Sequence, residues 1–106
     1  MTYIETIDKY HALIAESVNR PLVVDFTATW CPPCKMIGPI FVAMAAEPEY
    51  QGINFRKCDV DKASEVSKAA EIQAMPTFII FKGGAEAERI RGASEEALRA
   101  MLARHM

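Results

Sequence analysis

The sequence predicts an α/β fold, a mixed sheet with helices on both faces, and three observations carry that expectation. Leu22-Val23-Val24-Asp25-Phe26 and Thr77-Phe78-Ile79-Ile80-Phe81-Lys82 are near-continuous runs of strand formers, the pattern of strands covered on both sides. Between the strand-like runs lie stretches whose apolar residues recur at spacings of three and four, as on a helix packed by one stripe. Gly83-Gly84 separates the last two strand-like runs as a hairpin turn. The order read along the chain is β-α-β-α-β-α-β-β-α, which right-handed crossovers bring into one sheet.

Tyr3-Ile4-Glu5 is a short edge strand, followed at once by a helix that Thr6 caps. Ile7, Tyr10, Leu13, Ile14 and Val18 form its apolar stripe, while Asp8, Lys9, Glu16 and Arg20 stay wet and His11 is a solvated helix residue. Pro21 stops this element before the Leu22–Phe26 strand. A long helix then carries Ile37, Ile40, Phe41 and Met44 inward and ends near Glu47-Pro48, with Pro39 inside it predicting a kink. Gly52 breaks the chain ahead of a strand over 53–60. Asp61 is expected to cap a short helix over 63–70 that turns Val66, Ala69 and Ala70 inward. After the Thr77–Lys82 strand, residues 85–91 return as an antiparallel edge strand. Ser94 caps the last helix, with Glu95 and Glu96 in its first turn and Leu98, Met101 and Leu102 on its inner face.

A chain of 106 residues, 51% hydrophobic and 25% charged, fits one domain over 1–106 with a substantial core. The net charge of -2, with acids and bases interleaved, offers no footprint for nucleic acid or an anionic membrane. Residues 1–8 lack a basic and an apolar region of the secretory kind, and no apolar run reaches the length of a membrane span. The expectation is a cytoplasmic protein, and three cysteines in a chain that needs no disulfide staple agree with a reducing compartment.

The chemistry is concentrated in Trp30-Cys31-Pro32-Pro33-Cys34-Lys35. Two cysteines three apart in the first turn of a helix stand close enough to close a small disulfide ring and to alternate between dithiol and disulfide. The unpaired N–H groups and the positive dipole end of a helix N-terminus favour the thiolate of Cys31, the cysteine that opens the helix, and the thiolate is the nucleophile. The competing readings are an inert disulfide or half of a metal site. A second thiol pair is missing, and neither His11 nor His105 stands at zinc-finger spacing. Asp25 is a lone acid in an apolar run, where burial raises a carboxyl pKa and suits it to exchange a proton with Cys34; the competing reading is a strand-end acid that reaches water. Cys58, beside Lys57, points to the opposite face by strand alternation and is expected to be packed and inert.

A strand with a buried Asp25, then Trp30-Cys31-X-X-Cys34-Lys35, then Met75-Pro76-Thr77 and the glycine sites Gly83-Gly84 and Gly92, resembles the thioredoxin family along nearly the whole chain. The resemblance implies a thioredoxin fold: a central five-stranded mixed sheet of order 1-3-2-4-5, counted along the chain, flanked by four helices. The first three strands are parallel, and the hairpin strands are added antiparallel. It further implies a thiol-disulfide oxidoreductase in which Cys31 attacks a substrate disulfide and Cys34 resolves the mixed disulfide. By the same resemblance Asp25 accepts and returns the proton, Lys57 approaches it from the neighbouring strand, and Pro76 is cis beside the cysteines. Trp30, Met75, Pro76, Gly92 and Ala93 then form the rim where protein substrates dock. The implied partners are disulfide-containing proteins and an NADPH-dependent flavoprotein thioredoxin reductase, with a monomeric chain that holds no cofactor or metal.

The departure from the family pattern is Pro32, where most members have glycine. With Pro33 it tunes the site, since Pro32 removes an N–H near the Cys31 sulfur and restricts Cys31 to extended angles. That departure keeps two rivals in view: a more oxidising disulfide oxidase or isomerase, and a binding module of this fold that transfers no electrons.

Overall fold

The computed structural model describes residues 1–106. Four strands, β1 (Leu22–Thr27), β2 (Asn54–Asp59), β3 (Thr77–Lys82) and β4 (Ala85–Arg91), form one sheet of order β2-β1-β3-β4. β2 pairs parallel to β1, with Asp25 opposite Lys57, and β3 and β4 add antiparallel. The helices are α1 (Ile7–Glu16), α2 (Pro32–Ala45), α3 (Ser64–Ala69) and α4 (Glu95–Arg104), with a 3-10 turn at Pro48–Tyr50.

The expected fifth strand is reduced to a single parallel bridge between Tyr3 and Lys57. The Ile4 amide donates to the Lys57 carbonyl at 2.7 Å and the Lys57 amide to the Thr2 carbonyl at 3.2 Å. Pairing goes no further because Thr6 already accepts the Lys9 amide as the cap of α1, which turns the chain out of the sheet plane.

Alternation along β1 sorts the core into two layers. Leu22, Val24 and Phe26 pack with Cys58, Ile79 and Phe81 against residues of α1 and α3, including Tyr10, Leu13 and Val66. Val23, Phe55, Phe78 and Ile80 pack against Ile37, Phe41 and Met44 of α2 and Leu98, Met101 and Leu102 of α4. Asp25 shares the α2 face with Val23. α2 is one element through Pro39, with Cys34, Ile37, Gly38, Phe41 and Met44 buried.

Three local expectations need correction. α1 ends at Glu16, and Val18 is 67% exposed. Ser17 stops the helix, because its hydroxyl donates to the Ile14 carbonyl and accepts the Gly84 amide from the β3–β4 turn. Asp61 does not cap α3. Ala63 stands at that cap position and no side chain caps the helix; Asp59 Oδ1 instead closes the preceding turn, accepting the amides of Asp61 at 2.9 Å and Lys62 at 3.1 Å. Ala69 is exposed, and Ala63 is buried with Val66 and Ala70. Gly83 and Gly84 adopt φ of 68° and 87°, the left-handed geometry that a tight hairpin turn requires and glycine permits. No helix is long and apolar enough to cross a membrane.

Candidate active site

β1 delivers the chain through Ala28 to Cys31, which is the N-cap of α2 in an extended conformation, φ -93° and ψ 109°. Pro32 and Pro33 follow as the first helical residues, positions where a missing N–H breaks no helical bond. They also leave the Cys34 amide to serve the sulfur: it donates to Cys31 Sγ at 3.3 Å. Cys31 and Cys34 are joined as a disulfide, with Cα atoms 5.2 Å apart, and both are buried with Ala28 in a small apolar cluster that Met75 flanks.

The Met75–Pro76 bond is cis, as the resemblance implies. The Met75 carbonyl oxygen lies 3.6 Å from Cys31 Sγ, and the Pro76 carbonyl accepts the Gly92 amide at 2.9 Å, so Met75, Pro76 and Gly92 are gathered beside the cysteines. Gly92 has φ 99°, a conformation that L side chains rarely adopt. Ala93 turns partly inward against the α2 and α4 core layer. Trp30 lies on the surface, 61% exposed, rather than in the core. Its indole N–H donates to Asp61 Oδ2 at 2.8 Å. Asp61, expected as a helix cap, is thus the partner of the Trp30 indole. The available signal was an indole needing an acceptor and two acids in the turn after β2, but their pairing is set by tertiary structure.

Asp25 is fully buried, so the reading in which it reaches water falls. Neither carboxyl oxygen has a hydrogen-bond partner. Burial pushes this carboxyl up to about 7, and the Lys57 ammonium opposite it keeps it from rising further. Lys57 Nζ reaches α2 at Gly38, one helical turn beyond Cys34 and on the same face. A cleft of about 360 Å³ opens from solvent onto this group, with Thr27, Thr29, Cys34, Gly38, Lys57 and Asp59 among its walls. Cys58 sits in the opposite core layer, and burial, helped by the Asp59 charge, pushes its thiol up to about 12, as befits an inert packing residue.

The arrangement is a redox-active pair at a helix N-terminus, backed by a buried acid and a lysine, and flanked by a cis peptide with its carbonyl turned to the Cys31 sulfur. A model of the thioredoxin family matches residues 2–104. Thioredoxin of Ictalurus punctatus is 39% identical over 105 residues, covering 99% of this chain and 98% of that protein. Thioredoxin-2 of Saccharomyces cerevisiae is 41% identical over 103 residues, covering 97% and 96%. The X-ray structure of Fasciola hepatica thioredoxin superposes with a TM-score of 0.93 at 40% identity, covering 100% of both chains. The chain therefore belongs to the thioredoxin family and is a thiol-disulfide oxidoreductase, a reductase of protein disulfides that works through Cys31 and Cys34.

Proposed function

We propose the following division of labour. Cys31, as thiolate, attacks one sulfur of a protein disulfide, forming a mixed disulfide and expelling the other sulfur as thiolate. Cys34 gives its proton to Asp25 and attacks Cys31 Sγ; the Cys31–Cys34 disulfide forms and the substrate leaves with both electrons. Lys57 keeps the Asp25 carboxyl within reach of neutral pH. A dithiol donor then restores the pair, and an NADPH-dependent flavoprotein reductase is the donor that suits a cytoplasmic, monomeric, single-domain chain.

One observation carries this reading: an unpartnered carboxyl is buried on the strand that feeds α2, on the face of Cys34, while the Cys31 sulfur already accepts an amide hydrogen bond. Trp30, Met75, Pro76, Gly92 and Ala93 form the docking rim, in which the Met75 backbone, beside the sulfur, meets extended substrate. Pro32 and Pro33 tune the potential, since each denies the sulfur a donor. One altered hydrogen bond of about 1 kcal/mol corresponds to roughly 20 mV for a two-electron couple, and equal potentials for the protein and its Pro32→Gly variant would refute that tuning.

The test of the whole scheme is trapping. Cys34→Ser is expected to accumulate a mixed disulfide with substrate that dithiothreitol releases, whereas Cys31→Ser captures nothing and both variants lose turnover. Retention of disulfide reduction by Cys31→Ser would overturn it, as would a potential near the glutathione poise or above, which points to oxidase or isomerase work.

A further inference from the structure

We propose that Gly38 is a positioning residue: its missing side chain leaves the space in which the Lys57 ammonium rests between α2 and the sheet. A Cβ built on Gly38 would stand 3.1 Å from Lys57 Nζ, inside ordinary van der Waals contact. Nζ is the end of a flexible chain, so an alanine fits after a movement of a few tenths of an ångström and the fold survives it. What changes is where the charge stands.

Sheet and helix wall the ammonium in, and the cleft that Gly38 and Lys57 share is open to solvent. A methyl group at position 38 drives Nζ outward along that cleft, away from the Asp25 carboxyl opposite it and toward better-screened surroundings. Asp25 then loses part of the one charge that opposes its burial. The other ionisable groups on the cleft are Tyr3 from the N-terminal segment, Lys35 from α2 and Asp59 from β2, Cys34 being held in the disulfide, and β3 presents apolar Phe78 opposite Asp25.

A simpler explanation of the glycine is that it precedes Pro39, where any Cβ crowds the proline ring in a helix. That explanation concerns helix geometry and stability and leaves the titration of Asp25 untouched, so the two separate cleanly. The inference rests on the proposed pairing of Asp25 with Lys57, and the experiment tests each in turn. The carboxyl carbon of Asp25 is followed by NMR from pH 5 to 10 in the oxidised protein, in Lys57→Met, in Gly38→Ala and in the double variant, with Lys57→Gln as a second background.

Lys57→Met is expected to raise the midpoint by about one pH unit and Gly38→Ala by only about 0.1 to 0.2 of a unit, with no further rise when Gly38→Ala is added to Lys57→Met. The pH profile of mixed-disulfide resolution shifts upward by the same amount. If Lys57→Met leaves the midpoint in place, the pairing itself fails. If it moves while Gly38→Ala alone gives no rise, or gives an equal rise in both backgrounds, the role of Gly38 is overturned.

Discussion

The middle of β1 and the C-terminal end of β2 each bury an aspartate, yet Asp59 Oδ1 accepts two backbone amides while neither oxygen of Asp25 has a partner. The strands are neighbours and the residue type is the same, so the difference lies in what each position is for. Asp59 stands where the chain leaves the sheet, and free amides of the turn into α3 converge on it; its burial is compensated and it stabilises a turn. Asp25 lies inside β1, where the strand amides are committed to the ladder and the surrounding side chains, Lys57 apart, are apolar. A carboxylate there is unfavourable by several kcal/mol unless protonated, which fits the proton-transfer role proposed for it.

Asp25→Asn gives the largest expected effect and sharpens the contrast most. The folded carboxyl titrates at about 7 against an ordinary 3.8, so between those values the folded state holds a proton that the unfolded chain has released. Its contribution is therefore full below pH 3.8, declines as pH rises, and is exhausted above about 7. The neutral amide escapes this decline. Oxidised Asp25→Asn is expected to gain up to roughly 4 kcal/mol over the parent at pH 8 and to converge with it near pH 4, measured by guanidinium unfolding. The same variant resolves mixed disulfides at least about tenfold more slowly at neutral pH, toward the hundredfold typical of a lost general base. Equal unfolding curves at pH 8 would mean that burial does not raise the carboxyl above its ordinary range.

The matching change at the other aspartate has the opposite sign. Asp59→Ala removes the acceptor for two amides and is expected to lower stability by about 1 to 2 kcal/mol, nearly independently of pH between 6 and 9, while Asp59→Asn keeps an acceptor and loses about 0.5 kcal/mol or less. A gain from Asp59→Ala at high pH would dissolve the distinction between the two sites.

The same contrast explains what the sequence made legible. Thr6 and Ser94 are read correctly as caps, and Cys31 as the residue that opens α2, because a cap is a local arrangement, and each accepts the amide three residues on. The isolation of Asp25 is legible because all its sequence neighbours are apolar. Which of Asp59 and Asp61 closes the turn before α3 is not, since both stand beside it, and in the fold Asp59 takes the turn amides while Asp61 accepts the Trp30 indole. Val18 continues the helical period, but Ser17 meets Gly84 from a distant hairpin and ends α1 first. Lys57 was placed near Asp25 through resemblance alone, and its seat against Gly38 depends on how α2 crosses the sheet, which no periodicity encodes.

Asp61 gives the smallest expected effect and carries the comparison to the surface. Its bond to the Trp30 indole is exposed, so water replaces either partner at little expense and Asp61→Ala is expected to change stability by less than about 0.5 kcal/mol. The bond does hold the ring plane of Trp30, a residue of the proposed docking rim. Freed of it, Trp30 loses orientation before it loses contact, which weakens substrate association rather than the chemical steps. The expected result is a KM for a protein disulfide raised about two- to threefold, with kcat unchanged and an altered indole fluorescence. Asp61→Asn keeps an oxygen acceptor and should restore most of the KM. A fall in kcat with KM constant would instead place Asp61 with Asp25, among the groups that act on the sulfurs.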